Sequence, residues 1–316
     1  MTMEHAPILV TGGLGFLGRH VVAALRQAGG VPVVLDLAVD DSDEGLIQAD
    51  LSDGVPDLAS VSVEVVYHLA GLAHVVPRDQ AQADRFFEVN VRGTENLLQG
   101  LEGCAELPEA LVLVSTVAVY GVDQGELLTE ETPRAATDPY GMSKRQQEDL
   151  VLEWGARRGV RIGIVRPPLV AGRGAPGNLG AMVRALKAGR YPGIGPGDAR
   201  RSMVLADDVA QALPKVAEIG GVYHLTDGLH PSFHELEDSI CGALGRRPPR
   251  RIPMAVARMM GWGGDAMQSL SGRSMPFSTR TLEKMTSTLT FSDRKARQAF
   301  AWSPGAVVEA AGEIVA

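Results

Sequence analysis

Short, unbroken apolar runs recur along the chain at 7–11, 31–36, 63–69, 110–116 and 160–166, and stretches with helical spacing of apolar positions lie between most of them. Alternation of this kind predicts βαβ units. A strand in a parallel sheet is covered by helices on both faces, which explains runs that are continuously apolar rather than alternating. Right-handed crossovers bring the carboxyl ends of such strands to one edge, so Gly12–Gly18, Asp36, His68–Gly71 and Ser115–Thr116 are expected around one crevice. The expected fold class is α/β, a doubly wound parallel sheet with a smaller, loop-rich α/β domain.

The texture changes after Arg166. Pro167-Pro168, Gly172, Gly174, Pro176, Gly177 and the run from Tyr191 to Gly197 predict turns and loops. Residues 1–166 therefore read as the sheet domain and 167–316 mainly as a substrate domain, with 202–227 rejoining the sheet. In that segment Val204–Leu205 and Gly221–Thr226 read as strands around a helix from Asp207 to about Ala217. Further helices are expected near 232–244, 252–261 and 305–315. Met254 to Met275 holds five of the eleven methionines. It reads as a buried amphipathic helix followed by a glycine-broken loop in preference to a flexible lid, because methionine mostly fills irregular core gaps.

Residues 10–18, V-T-G-G-L-G-F-L-G, sit between the apolar Ile8-Leu9-Val10 and the helical Val21-Val22-Ala23-Ala24-Leu25. A strand, a glycine turn and a helix form a phosphate-binding corner of Rossmann type. Gly12, Gly13 and Gly15 allow a sharp turn and close approach to a pyrophosphate, and Gly18 lets the helix lie against the sheet. The anion is expected on the N–H groups and positive end of the helix that Phe16 and Leu17 open. Asp36 ends the next apolar run at about the ~20-residue distance where a carboxylate meets the adenosine ribose. It favours NAD over NADP, since Leu37, Ala38, Val39 and Asp40 follow with no nearby cation.

The net charge of −8 disfavours a nucleic-acid partner. No apolar run approaches the ~20 residues that span a bilayer, and residues 1–7 lack a basic start with an apolar core. A cytoplasmic protein is the expectation. Cys104 and Cys241 are far apart and without metal-ligand spacing, so they read as reduced packing residues, and no metal site is expected.

Tyr140-Gly141-Met142-Ser143-Lys144 opens a helix expected to run to about Trp154, with Asp138-Pro139 as its start signal. Tyr140 and Lys144 then lie one turn apart on one face. A free tyrosine has a pKa near ~10, and an adjacent ammonium with a positive nicotinamide ring favours the phenolate. Tyr140 is thus a candidate proton shuttle beside a hydride transfer. Lys144 is also expected to hold the ribose. Leu111-Val112-Leu113-Val114 delivers Ser115 and Thr116 at a strand end, where a hydroxyl is able to bond the reacting oxygen.

These motifs, in this order, resemble the extended short-chain dehydrogenases/reductases, in particular the NAD-dependent nucleotide-sugar epimerase/dehydratase group. T-G-G-L-G-F-L-G resembles its cofactor fingerprint, Tyr140 to Lys144 its catalytic pair, and Val114 to Gly121 its strand-end motif with Thr116 at the catalytic hydroxyl position. Asp50-Leu51 is similar to its adenine-side loop, Leu69-Ala70-Gly71 to its cofactor-contacting strand end, and Asn90 to the asparagine that orders its site. Pro167, in Arg166-Pro167-Pro168, falls among its cofactor and substrate loops, as do Gly177-Asn178, Arg201-Ser202-Met203-Val204 and Asp207-Asp208-Val209-Ala210.

Departures from the pattern narrow what the resemblance implies. Members that dehydrate a hexose carry an Asp-Glu pair after the catalytic Thr, where this chain has Val117 and Ala118. The Asn and Tyr of many 4-epimerases are Leu169 and Ala171 here, and R-P-P-L-V with G-N-L downstream is closer to a branch acting on UDP-hexosamine derivatives. The resemblance implies NAD-dependent chemistry at the 4-hydroxyl of a nucleotide sugar, a UDP-sugar 4-epimerase first and a 4-ketoreductase as the rival. A non-catalytic NAD-binding protein is the third reading, disfavoured because Tyr140 and Lys144 are both present. Ser115, Thr116, Asn178 and Arg201 are the substrate candidates, with Arg173 and Arg200 comparable to Arg201 for a diphosphate. The family also implies a homodimer through helices near 78–100 and 138–157.

Overall fold

The computed structural model describes residues 7–38, 45–271 and 279–316. The reading of residues 1–6 as lacking a leader, Val39 and Asp40 after Asp36, and Met275 lie outside the described residues.

The strands are β1 (Ile8–Thr11), β2 (Val33–Asp36), β3 (Leu46–Gln48), β4 (Val65–His68), β5 (Ala110–Val114), β6 (Gly125–Leu128), β7 (Arg161–Arg166), β8 (Leu169–Ala171), β9 (Gly193–Ile194), β10 (Met203–Leu205), β11 (Gly221–His224), β12 (Arg251–Ile252) and β13 (Leu289–Phe291). The helices are α1 (Phe16–Gln27), α2 (Gln80–Phe86), α3 (Gly93–Glu102), α4 (Pro139–Arg158), α5 (Gly177–Lys187), α6 (Ala206–Ile219), α7 (Phe233–Ala243), α8 (Met254–Ser271), α9 (Thr279–Thr286), α10 (Arg294–Phe300) and α11 (Ala311–Val315). A π-helical segment, Phe87–Arg92, joins α2 to α3.

Seven strands form one parallel sheet in the order β11-β7-β5-β4-β1-β2-β3. Alternation within β1 shows why its run is wholly apolar. Ile8 and Val10 pack into a layer with Val21, Val22 and Leu25 of α1 and Val209, Leu213 and Val216 of α6. Leu9 faces the opposite layer with Leu97, Leu98 and Leu101 of α3 and Val151 and Trp154 of α4. At roughly 1.5–3 kcal/mol for each large side chain removed from water, these two layers dominate the stability of the sheet.

Gly221–His224 rejoins this sheet beside β7, as read from the sequence. Val204–Leu205 does not. Met203, Val204 and Leu205 pair in parallel with Leu169, Val170 and Ala171 in a separate two-stranded sheet. The physical cause is Pro167-Pro168, which ends the ladder of β7 because proline offers no N–H and disfavours continuation.

The loop-rich reading of 167–197 missed α5, where Leu179, Met182, Val183 and Leu186 are buried at helical spacing. They form a further core with Met203, Leu236, Ile240, Cys241 and Ile314. Cys241 is thus a packing residue, and Cys104 is half-buried with its thiol donating to the Leu58 carbonyl. The helix expected over 305–315 is shorter, Ala311–Val315. The buried reading of 252–261 with a following loop is also corrected. α8 continues to Ser271 and leaves Met259, Met260, Trp262 and Met267 exposed. Among the described residues no helix is long and apolar enough to cross a membrane.

Candidate active site

The glycine corner joins β1 to α1 with little room to spare. Gly12 has φ +70, and a Cβ there would lie 2.7 Å from the Ala70 backbone nitrogen. At Gly18 it would lie 2.0 Å from the Gly12 carbonyl oxygen, and at Gly13 2.7 Å from Val34 Cγ1. Gly15, Phe16 and Leu17 begin α1 without a side-chain cap, which leaves first-turn N–H groups for an anion. Asp36 braces the corner, its carboxylate accepting from the N–H of Leu14 at 2.9 Å and of Ala38 at 3.0 Å. Asp50 accepts from the Ser52 N–H and hydroxyl, and the hydroxyl bond is the main cause holding its carboxyl below the usual range. Leu51 is buried beside Gly93. Together these features fit a dinucleotide pyrophosphate, and a Cβ would fill the cradle.

Gly18→Ala tests that fit. The added methyl meets backbone that has nowhere to move, and overpacking of this kind costs ~1–3 kcal/mol. A fluorescence titration should show NAD affinity reduced on the order of tenfold or more. Gly312→Ala, where nothing lies within 4 Å, should bind as the parent does.

A sequence of contacts leads from this corner to the helix of Tyr140 and Lys144. Gly12 abuts Leu69 and Ala70. A Cβ on the following Gly71 would lie 2.9 Å from Asn90 Oδ1 and 4.0 Å from Lys144 Nζ. Asn90, fully buried in the π-helical segment, accepts from the Leu72 N–H at 2.7 Å and donates to the Leu72 carbonyl and Ser143 Oγ. Behind it, His68 pairs through Nδ1 with Thr11 at 2.7 Å and through Nε2 with Thr94 at 2.9 Å. Burial pushes His68 down to about 3, so it is neutral.

α4 starts as the sequence predicts, with Asp138 capping the Gly141 N–H and Pro139 in the first turn. Tyr140 packs its ring on buried Phe86 at 5.8 Å and its phenol reaches the side chain of Thr116. Thr116 also caps the short 3₁₀ turn Val117–Tyr120 by accepting from the Ala118 N–H at 3.1 Å. Burial pushes Tyr140 up to about 12, the Thr116 contact pulls it down, and Asp138 pushes it up. Lys144 gives its ammonium to the Val114 carbonyl at 2.8 Å, and burial lowers it to about 8 against the opposing charge of Glu148.

Ser115, expected to face substrate, is buried, and its hydroxyl donates to Glu148 Oε1 at 2.5 Å. Glu148 is fully buried and takes Arg166 Nε at 2.9 Å, Arg166 Nη2 at 2.7 Å and Arg134 Nη1 at 3.1 Å. Arg166 Nη1 in turn donates to Tyr120 Oη at 2.8 Å, and that oxygen lies 2.6 Å from His224 Nε2. With its proton on Nδ1, facing the Ser292 carbonyl, a neutral His224 satisfies every partner. Sequence reasoning missed Phe86, Glu148 and His224, and read Arg166 only as part of a substrate-facing loop, where the structure buries it against Glu148. Only Glu148 carried a signal, four residues after Lys144 on the same helical face.

The two buried imidazoles give the fold a pH dependence. His224 falls to about 4, chiefly through burial, and His68 to about 3, both below the unfolded value near ~6.5. Between those values the unfolded chain binds more protons, so stability present above pH ~6.5 is lost as the pH drops. Urea midpoints should be level above pH ~7 and fall steadily from ~6.5 to ~5; a rise on acidification would contradict the assignment.

The remaining candidates are fixed by local contacts. Pro167 accepts the Val117 N–H at its carbonyl, 3.3 Å away. Asn178 is exposed at the start of α5, next to Gly177, where a Cβ would lie 2.7 Å from His74 Nδ1. His74, held at φ 61, is another residue the sequence reading did not select. Arg201 lies 5.7 Å over the Phe233 ring and donates to the carbonyls of Ser287 and Lys284 at the end of α9. Arg200 donates to the His230 carbonyl and pairs with Glu235, and Arg173 is exposed.

Comparison with known proteins agrees with this geometry. Residues 8–224 match the NAD dependent epimerase/dehydratase family. The chain is 34% identical over 188 residues to a UDP-glucose 4-epimerase of Azospirillum brasilense, an alignment covering 55% of this chain and 51% of that protein. The chain thus spans about half the length of that relative. It is 31% identical over 249 residues to a GDP-6-deoxy-D-mannose reductase of Pseudomonas aeruginosa, covering 72% and 77%. The structure of MoeE5 in complex with UDP-glucose and NAD superimposes with a TM-score of 0.76 at 23% identity, covering 98% and 97%, and shares the fold. With its parallel sheet, glycine corner and family match over residues 8–224, the chain belongs to the NAD-dependent epimerase/dehydratase family of enzymes.

Proposed function

We propose that this chain is a UDP-sugar 4-epimerase that oxidises and re-reduces the 4-carbinol of a nucleotide-activated sugar without net consumption of NAD. The observation that carries the reading is the gathering, at the carboxyl edge of one parallel sheet, of the glycine corner, with Gly12 against Ala70 and Gly71 near Lys144, and of Tyr140 reaching Thr116. Gly12, Gly13, Gly15, Phe16, Leu17 and Gly18 would hold the pyrophosphate, Asp36 the ribose, Asp50 and Leu51 the adenine side, and Leu69–Gly71, Asn90 and Pro167 the nicotinamide half. When bound, NAD supplies a hydride acceptor and a positive ring.

The chain's own groups then handle the proton. Thr116 orients the sugar hydroxyl, and Tyr140 Oη removes its proton and later returns it. Turning Lys144 Nζ from the Val114 carbonyl toward the ribose and the phenol brings its charge to bear on Tyr140, favouring the phenolate. Val117 and Ala118 are apolar where dehydration needs an acid and a base, which supports redox chemistry without loss of water. Asn178 and Arg201 are assigned to the substrate diphosphate, the latter after release from the α9 carbonyls. Residues 1–166 serve as the NAD domain and 167–316 mainly as the substrate domain, in a cytoplasmic homodimer through α2, α3 and α4.

The reductase relative favours a second reading, a 4-ketoreductase using the same residues. Incubation with UDP- and dTDP-sugars, followed by NMR with and without added NADH, separates the two. Interconversion of C4 epimers without added reductant is expected. Activity confined to 4-keto sugars plus NADH would overturn the epimerase assignment.

A further inference from the structure

We propose that α8 and the arginine run before it form a docking surface for an anionic phospholipid bilayer. Residues 246–271 contain Arg246, Arg247, Arg250, Arg251 and Arg258 against one acidic residue, Asp265, which is bonded to Thr279, in a chain whose net charge is −8. Arg246, Arg247, Arg250 and Arg258 are exposed, whereas Arg251 is tied to Glu237 at 2.6 Å. Arg190, Arg246, Arg247 and Arg250 line a cleft of about 540 Å³.

The helix that follows is apolar on the wrong face for water. It buries Ala257 and Gly261, the latter against Thr279 of α9, one turn apart on the inner side. Its outer stripe is Val256, Met259, Met260 and Gly263, at the i, i+3, i+4 and i+7 positions, with exposures of 46%, 67% and 47% for the three side chains. Trp262, 65% exposed, flanks it. A helix facing water normally presents polar residues there, and a contiguous exposed apolar strip marks an interaction site.

Charge complementarity selects the occupant. A bilayer surface offers phosphate groups to a run of cations and an acyl boundary to an apolar helical ridge, side by side and without requiring a groove. Methionine and tryptophan suit that boundary, because one adapts its shape and the other tolerates a mixed environment. Met254, at the start of α8, lines the same small cavity as Phe233, on whose ring Arg201 lies, so docking places lipid near that cavity. This inference does not depend on which sugar the enzyme takes.

The test is co-sedimentation of the whole chain with vesicles of phosphatidylglycerol and phosphatidylcholine, and with phosphatidylcholine alone. Binding is expected to the anionic vesicles, weakened by salt, with a blue shift from Trp262, since Trp154 and Trp302 are buried. Each of Arg246→Gln, Arg247→Gln and Arg250→Gln should weaken partitioning about fivefold. The combined Met259→Ser, Met260→Ser variant should lose the blue shift and at least tenfold in binding, with NAD affinity retained as proof of folding. Absence of binding, equal binding to neutral vesicles, or insensitivity to both sets of substitutions would overturn the proposal. So would a mass measurement in which the Met variant splits a dimer while vesicle binding is unmoved, since the stripe would then be an interface between copies.

Discussion

Tyr140→Phe is expected to reduce turnover by about three orders of magnitude, within the ~10²–10⁴ range that a positioned acid–base group contributes. The phenol lies against the Thr116 side chain, where it is able to exchange a proton with a neighbouring hydroxyl. Its ring is seated on Phe86, and Phe preserves that packing, so the loss is confined to the oxygen. NAD affinity should therefore stay within about twofold of the parent, because Gly12–Gly18 and Asp36 are unchanged. Steady-state rates with the substrate identified by NMR, beside a fluorescence titration with NAD, check both halves. A variant that keeps its rate, or one that loses NAD together with activity, contradicts the role assigned.

Glu148→Ala should destabilise the protein by ~3–5 kcal/mol, the range for deleting one partner of a buried ion pair. Glu148 is fully buried and joins Ser115, Arg134 and Arg166, and only 5% of the Arg166 side chain is exposed. Without the carboxylate the guanidinium keeps only Tyr120 Oη and the Glu130 carbonyl, two neutral acceptors that leave a cation buried. The deletion also frees the Ser115 hydroxyl, one residue from Thr116. Urea unfolding measures the effect, and Arg134→Ala is the comparison, since Arg134 is partly exposed and its loss leaves the core pair intact. Equal stability of the two variants would show that the buried pair does not carry the energy assigned to it.

The parts of the fold legible in the sequence are those with a local signature. Apolar runs marked the central strands because both faces of the sheet are covered, and Asp138-Pro139 marked the start of α4 because capping is a one-turn event. β3 was missed since Leu46–Gln48 is a short, partly exposed edge strand without a distinctive pattern. α5 was obscured by flanking glycine and proline although Leu179, Met182, Val183 and Leu186 carry its period. The pairing of Val204 with Val170 depends on two remote segments meeting away from the main sheet, which composition does not encode.

The site divides in the same way. The glycine corner, Thr116 and the Tyr140–Lys144 spacing are contiguous motifs and were visible. The raised phenol and the lysine bonded to Val114 arise from burial and tertiary geometry, which the helical spacing of Tyr140 and Lys144 does not encode. Ser115 and Thr116 are adjacent in the chain but point into different surroundings, as successive residues at a strand end do. One reaches Glu148 within the core and the other the phenol.

The central claim is that a hydride leaves and regains the sugar's C4 inside one closed site while Tyr140 carries the proton. A UDP-hexose deuterated at C4, turned over in ordinary water and read by NMR and mass spectrometry, tests it directly. Both epimers should retain deuterium at C4 with none released to solvent; washing out of the label into water at the pace of epimerisation would contradict the account.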